Sequence, residues 1–258
     1  MIIQWGSRFA TTPFVKGFCM VYTERYVTKW HDADPALCLR PSAILVYLEE
    51  TSGLHMRSVG RSLDELHIKE RKGFILSRIG IVFHKKIEAY SEITVNTFTG
   101  ASAGFSSPRY FEMFSNGDKV AEATSIWALV DLESHRPIKV SDFDFGFEHE
   151  ARELEGIPTR VSIPKTTEFS VVGTREIRYS DVDYNGHMNN TKYPDMLMDY
   201  IPSPETVTLK SMVLSFRHEA TLGHTLTVER AESEGGYLFR TVDSDGTVCL
   251  EAEVKLER

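Results

Sequence analysis

The sequence predicts an α+β protein built from one unit written twice, each unit an antiparallel sheet wrapped around a helix. Three observations carry this. Each half runs from a strand-like stretch, through a helical segment, to four long strand candidates. Equivalent residues of the halves keep constant spacing. Phe83 and Phe216 stand 133 positions apart, as do Ile93 and Leu226; Gly117–Gly246 and Glu122–Glu251 share 129; Asp32–Asp181 and Asp34–Asp183 share 149. Between the halves, residues 139–168 hold the acidic stretch EHEARELEGIP bounded by prolines, which reads as a linker.

In the first half YTERYVTKWHDAD opens as a strand. Pro41 then starts a helix over SAILVYLEETSGLHMRSVG, since the first helical position has no use for the amide that proline lacks. Ile44, Leu45, Leu48 and Leu54 supply its apolar face. FILSRIGIVFHKKI, EITVNTFTGAS, RYFEMFSNG and KVAEATSIWALVDLE follow as strands, and the Asn-Gly of SNGDK makes a hairpin turn. The second half repeats the order. TREIRYSDVDYNGHMNN leads to a helical YPDMLMDY, then to LKSMVLSFRHEA, HTLTVERAES, GYLFRTVDS and TVCLEAEVKLE, with DSDG in the role of SNGD. A curved sheet buries the apolar face of its helix. Two such units in one chain predict two sheets joined edge to edge, with sites between them.

A chain of 258 residues with 41% hydrophobic composition suffices for one large core or two small ones. The net charge of −8 weighs against nucleic acid as a partner, because phosphate binding needs a basic surface. Cys19, Cys38 and Cys249 are scattered and form no CxxC pair, so they read as reduced thiols of a cytoplasmic protein. No apolar run has membrane-spanning length, and residues 1–20 lack the basic-then-apolar layout of a secretory leader. Cytoplasmic localisation and no membrane association are expected. The sequence has no phosphate loop, dinucleotide fingerprint or serine elbow, and no cofactor or metal is expected. The string His31, Asp32, Asp34 reads as a polar turn.

The stretch DVDYNGHMNN, residues 181–190, carries the chemistry. Aligned on the repeat, Asp32 and Asp34 match Asp181 and Asp183. Asn185 is matched by Ala36, His187 by Cys38, Asn189 by Arg40 and Glu219 by Lys86. What only one copy has is not required by the fold, so Asn185, His187 and Glu219 read as functional. A helix starting near Asn189 or Asn190, capped by an Asn side chain, would turn its free amides toward a developing oxyanion. His187 suits proton exchange. Asp183 would fix the imidazole tautomer or orient Asn185. On a strand, Met212, Leu214 and Phe216 share one face and Arg217 and Glu219 the other. An Arg217–Glu219 ion pair is the plain alternative to a catalytic role for Glu219.

The run RYSDVDYNGHMNNTKYPDMLMDYIP, together with KVAEATSIWALVDLESHRPIKV in the first half, resembles the acyl-acyl carrier protein thioesterases of plant plastids and bacteria. The resemblance covers nearly the whole chain. It implies two tandem hot-dog domains: residues 1–140 shaping an acyl pocket, 141–168 a linker, and 169–258 carrying catalysis. It places Asp183, Asn185, His187 and Glu219 on the family's catalytic positions. The next position, often Cys in plant members, is Ala220 here, which leaves an acid-based mechanism. Pro194 and Met196 depart from the family pattern. The implied activity is release of fatty acid from acyl carrier protein, with an acyl-coenzyme A thioesterase or a non-catalytic acyl-thioester-binding module as alternatives. Acyl carrier protein is the expected partner, and a homodimer is compatible with the reading. Ile44, Leu45, Leu48 and Leu54 are the expected pocket wall. Lys69, Arg71 and Lys72, or Lys85 and Lys86, are the expected carrier-docking patches.

Overall fold

A computed structural model describes residues 21–257. The expectations for residues 1–20, Cys19 among them, lie outside the described residues. The first half comprises β1 (Val21–Val27), α1 (Pro41–Ser58), α2 (Leu63–Lys69), β2 (Lys72–Phe83), β3 (Glu92–Thr99), β4 (Ser107–Ser115), β5 (Asp118–Asp131) and the short β6 (Arg136–Ile138). The second half comprises β7 (Ser170–Glu176), α3 (Lys192–Met198), β8 (Thr208–Phe216), β9 (Thr225–Ser233), β10 (Gly236–Val242) and β11 (Val248–Glu257).

The strands form one antiparallel sheet in the order β1-β3-β4-β5-β2-β8-β11-β10-β9-β7, with β6 beside β5. The order reads as one five-strand pattern followed by its mirror: β1, β3, β4, β5, β2, then β8, β11, β10, β9, β7. Each half is a hot-dog unit, and the fold is a double hot-dog. The seam is the ladder from Arg78–Ser215 to Val82–Ser211. The internal repeat is therefore real in three dimensions, and the predicted edge-to-edge join is β2 with β8.

Local chemistry explains the elements. Pro41 opens α1, and Ala43, Ile44, Leu45, Leu48, Ser52 and Met56 recur on its buried side. Asn116 and Gly117 take positive φ of 51° and 84° in the turn between β4 and β5, as an Asn-Gly hairpin requires. In the matching loop Asp243 Oδ1 accepts the amides of Asp245 and Thr247, each at 2.9 Å, and Gly246 has φ 82°. Asp195 of α3 ties the halves together. Its carboxylate accepts the Ser42 hydroxyl at 2.5 Å and the Ser42 amide at 3.1 Å, capping the open start of α1.

The connecting segment packs instead of trailing. Ile79 and Ile81 face the main core with α1, so Gly80 faces the opposite side of the sheet. There the chain at Pro158 crosses the seam so closely that a Cβ on residue 80 would lie 1.9 Å from the Pro158 carbonyl oxygen. Val140 and Phe145, near the start of the segment, are buried with Met56, Leu66 and Leu129 in a second, smaller core.

Candidate active site

The second-half loop is built by its backbone. Asp183 Oδ1 accepts the Asn185 amide at 2.8 Å, and the Asp183 amide donates to the His187 carbonyl at 3.0 Å. Gly186 turns the chain with φ 80°. The Met188 amide then donates to the Ala220 carbonyl at 2.7 Å, and His187 bridges to Thr221. This docks the 183–188 loop against the loop that follows β8.

The first half builds the same loop from different side chains. Asp34 Oδ1 accepts the amides of Ala36 and Cys38 at 2.8 and 3.0 Å, and the Asp34 amide donates to the Cys38 carbonyl at 2.7 Å. Leu37, in the place of Gly186, takes φ 59°. The Leu39 amide donates to the Ile87 carbonyl at 2.7 Å, and Cys38 bridges to Glu88. Asp34 and Asp183 thus share one structural task, holding a turn. Asp32 accepts the Tyr47 hydroxyl at 2.8 Å, so the HDAD aspartates serve the loop. Asn185, His187 and Glu219 have no counterparts in this scaffold.

Those residues converge. His187 Nε2 lies 3.2 Å from Glu219 Oε2, with the Glu219 side chain about half exposed. Asp183, Asn185, His187 and Glu219 all line one cleft of about 840 Å³. The cleft opens where the seam ends. Beyond the Arg78–Ser215 pair, β2 continues back to Lys72 on one side, while β8 gives way at Phe216 to the Glu219 loop on the other. Much of its apolar lining comes from the first half, with Met56 of α1, Leu66 of α2, Phe74 and Leu76 of β2 and Trp127 of β5, joined by Phe145 of the connecting segment and by Met188, Tyr193 and Phe216 of the second half.

Several expectations need correction. Glu219 is not on a strand, because β8 ends at Phe216. Arg217 pairs with Glu251, Nε to Oε2 2.8 Å, which leaves Glu219 to His187. Of its two expected tasks Asp183 performs the second, holding Asn185 through the backbone amide. The start of the second helix is already satisfied. Asn189 Oδ1 accepts the Thr191 amide at 2.9 Å, and the Lys192 and Tyr193 amides go to the carbonyls of Asn189 and Asn190. An Asn cap was expected there, but the N-cap is Thr191, which makes no side-chain cap bond, and Asn189 instead closes a turn ahead of it. The amides of Thr191, Lys192 and Tyr193 are taken, so those three do not form an oxyanion site. Pro194 sits in the first turn of the seven-residue α3, where its missing amide costs nothing.

The expected pocket wall is also different. Ile44, Leu45 and Leu48 pack in the main core, while Val46, Glu49, Gly53 and Met56 of α1 line the cleft. Four of the expected docking cations stand in ion pairs. Lys69 pairs with Glu65 at 2.5 Å, Lys72 with Glu70 at 2.9 Å, Arg71 with Glu133 at 3.5 Å and Lys85 with Asp118 at 2.7 Å.

Glu49 is the cleft residue the sequence reading did not single out. It follows Leu48 on α1, on the face that Val46, Gly53 and Met56 turn to the cleft, and its Oε1 is buried without a hydrogen-bond partner. Burial, reinforced by the Asp183 charge, pushes its carboxyl up to about 8. An acid bordering the apolar stripe of a helix, one position after Leu48, was the available signal. Arg109 lines the inner wall, hydrogen-bonded to His55 Nδ1 and Thr97 Oγ1 at 3.2 Å each, and its burial lowers its pKa to about 9.

The whole arrangement has known relatives. The chain is similar to an acyl-ACP thioesterase from Bacteroides thetaiotaomicron, with TM-score 0.80, 21% identity, and 92% of this chain and 98% of that one covered. It is similar to a 12:0-ACP thioesterase from Umbellularia californica, with TM-score 0.78, 18% identity, and 93% and 98% covered. In sequence it is similar to a chloroplastic dodecanoyl-[acyl-carrier-protein] hydrolase of Cinnamomum camphora, 22% identical over 236 residues, with 84% of this chain and 62% of the relative covered. A chloroplastic palmitoyl-acyl carrier protein thioesterase of Cuphea hookeriana is 25% identical over 264 residues, with 92% and 63% covered. The chain thus spans somewhat under two thirds of the length of these curated relatives. The family model for the acyl-ACP thioesterase N-terminal domain matches residues 19–144, and that for the C-terminal domain matches residues 165–257. With both halves matched along most of its length, the chain belongs to the acyl-ACP thioesterase family.

Proposed function

We propose that this protein hydrolyses the thioester between a fatty acyl chain and acyl carrier protein, releasing free fatty acid and so ending chain elongation. The observation that carries the reading is the convergence of Asp183, Asn185, His187 and Glu219 on one cleft that also has a large apolar lining from the first half. Family membership supports the substrate class.

The roles follow from the contacts. Glu219, half exposed and 3.2 Å from His187, takes the proton of a water that attacks the thioester carbon. The imidazole holds the Glu219 carboxylate in place and assists return of the proton as the C–S bond breaks and the thiol departs. The Asn185 side chain, on the same cleft, donates to the carbonyl oxygen as negative charge develops there. Asp183 positions Asn185 through its backbone amide. Ala220 has no thiol, so no nucleophilic cysteine acts at that position. Residues 1–140 shape the acyl pocket, 141–168 connect, and 169–258 carry these four groups. No helix among the described residues is long and apolar enough to cross a membrane. A cytoplasmic location, an interaction with acyl carrier protein, a homodimer and independence from cofactors and metals complete the reading.

The test is thiol release from matched panels of acyl-carrier protein and acyl-coenzyme A across chain lengths. Preferential turnover of the carrier-protein thioester is expected. Preference for coenzyme A would move the protein to another substrate class, and no release from either would leave a binding module.

A further inference from the structure

We propose that Glu49, carried by α1 of the first unit, is a further catalytic residue, donating a hydrogen bond in its neutral form to the carbonyl oxygen of a thioester bound in the cleft. The proposal rests on the hydrolytic reading and gives the first unit a chemical role beyond shaping the pocket.

The geometry points there for three reasons. Glu49 lines the same cleft as Asn185, His187 and Glu219, but from the opposite unit. Its Oε1 is buried and has no partner, so the folded protein leaves hydrogen-bonding capacity unused on a carboxyl that borders the cleft. The donors expected at the start of α3 are already used, since the amides of Thr191, Lys192 and Tyr193 are bonded within their own turn. With those three amides taken, a developing oxyanion gains from donors elsewhere on the cleft, and the Asn185 side-chain amide is one.

Charge decides which form of Glu49 is present. A carboxylate without a partner is penalised by burial, and the group keeps its proton. Asp183, on the facing loop, adds its negative charge to that effect. His187 and Glu219 from the second unit, His67 of α2, Lys72 of β2 and Arg109 of β4 also line the cleft. A neutral acid has one O–H to donate, and a carboxyl kept neutral by its surroundings is an established kind of oxyanion donor. The proton stays on Glu49 throughout. The attacking water still gives its proton to Glu219, and the C–S bond still breaks to release thiol.

The experiment compares wild type, Glu49→Gln and Glu49→Ala, with Glu219→Gln alongside. It reads kcat/KM for acyl-carrier protein from pH 6 to 10, the thermal midpoint, and the Kd of an acyl-pantetheine ketone, in which a methylene replaces the thioester sulfur. Glu49→Ala is expected to lose about a hundredfold in kcat/KM at pH 7 with no fall in thermal midpoint. Glu49→Gln keeps a donor, so it should retain most activity at pH 7. Wild type should lose activity and ketone affinity above about pH 8, where Glu49 ionises, and Glu49→Gln should not. The idea is overturned if Glu49→Gln keeps the wild-type alkaline decline, or if Glu49→Ala turns over within twofold of wild type. Should wild type and Glu219→Gln alike release no thiol, the hydrolytic reading fails by itself. The ketone affinities then decide on Glu49, and the same pH dependence in wild type and Glu49→Gln rejects it.

Discussion

Nε2 of His187 lies 3.2 Å from Oε2 of Glu219, although the two sit on separate loops that precede α3 and follow β8. The Met188–Ala220 backbone bond and the His187–Thr221 bridge hold those loops together. The pair is thus positioned by main chain, and its side chains can be changed without dismantling the loop.

Removing the proton acceptor tests the pair directly. Glu219→Gln keeps the shape and loses the basic oxygen, so kcat should fall by roughly a hundredfold or more. His187→Ala should produce a loss of similar order. Steady-state thiol release reads both, and circular dichroism checks the fold. Near-normal turnover in either variant would remove that residue from the assignment. A single turnover in ¹⁸O water should place label in the product acid and leave Glu219 unlabelled, as a base requires. Label in Glu219 would mark it as a nucleophile.

Asp34 and Asp183 hold equivalent turns, yet only one serves the cleft. Asp34→Ala removes an acceptor from the amides of Ala36 and Cys38 and should cost about 1–3 kcal/mol of stability. Its turnover should stay near wild type. Asp183→Ala should show a comparable stability loss and, in addition, a large fall in kcat/KM, because Asn185 loses its anchor. Urea denaturation and kinetics on the same preparations separate the two effects. Equal kinetic losses in both variants would refute the distinction.

Gly80 lies under the crossing chain at Pro158. A methyl group there meets a backbone carbonyl at 1.9 Å, which no side-chain rotation relieves. Gly80→Ala should destabilise the protein by at least about 1–3 kcal/mol or force the crossing segment off the seam. A lower thermal midpoint, with faster hydrogen exchange at residues 155–160, would report it. An unchanged midpoint and exchange pattern would contradict the close approach.

Glu49 also makes stability depend on pH. Its folded value, about 8, stands above its ordinary carboxylate value, so the folded state binds the proton more tightly than the unfolded chain. The contribution is fully present below the ordinary value near 4.5. It is lost as pH rises toward 8. Relative to Glu49→Gln, wild type should therefore lose stability progressively across that window, by a few kcal/mol in all. Denaturation midpoints of the two proteins at pH 4.5, 6 and 8 measure it, and a constant difference would show that Glu49 titrates normally.

Periodicity, proline and Asn-Gly signals, and the fixed spacing between halves were enough to determine the repeated unit, its strand order along the chain and the single-copy residues Asn185, His187 and Glu219. These signals are local, or they compare one stretch with another, so a linear sequence holds them. Other features depended on packing between distant segments. The short α2 falls between the first helix and the strand after it, where the sequence predicts no element, and its one buried apolar residue, Leu66, has meaning only against Phe145 and Leu129. Glu219 looked like a strand residue because nothing in SFRHEA marks where β8 yields to a loop. The face of α1 that meets the cleft, and with it Glu49, is chosen by where β2 and β8 part. Which amides stay free at the start of α3 was decided by the Asn189 side chain and the first turn, a choice among local bonds that only the folded backbone makes.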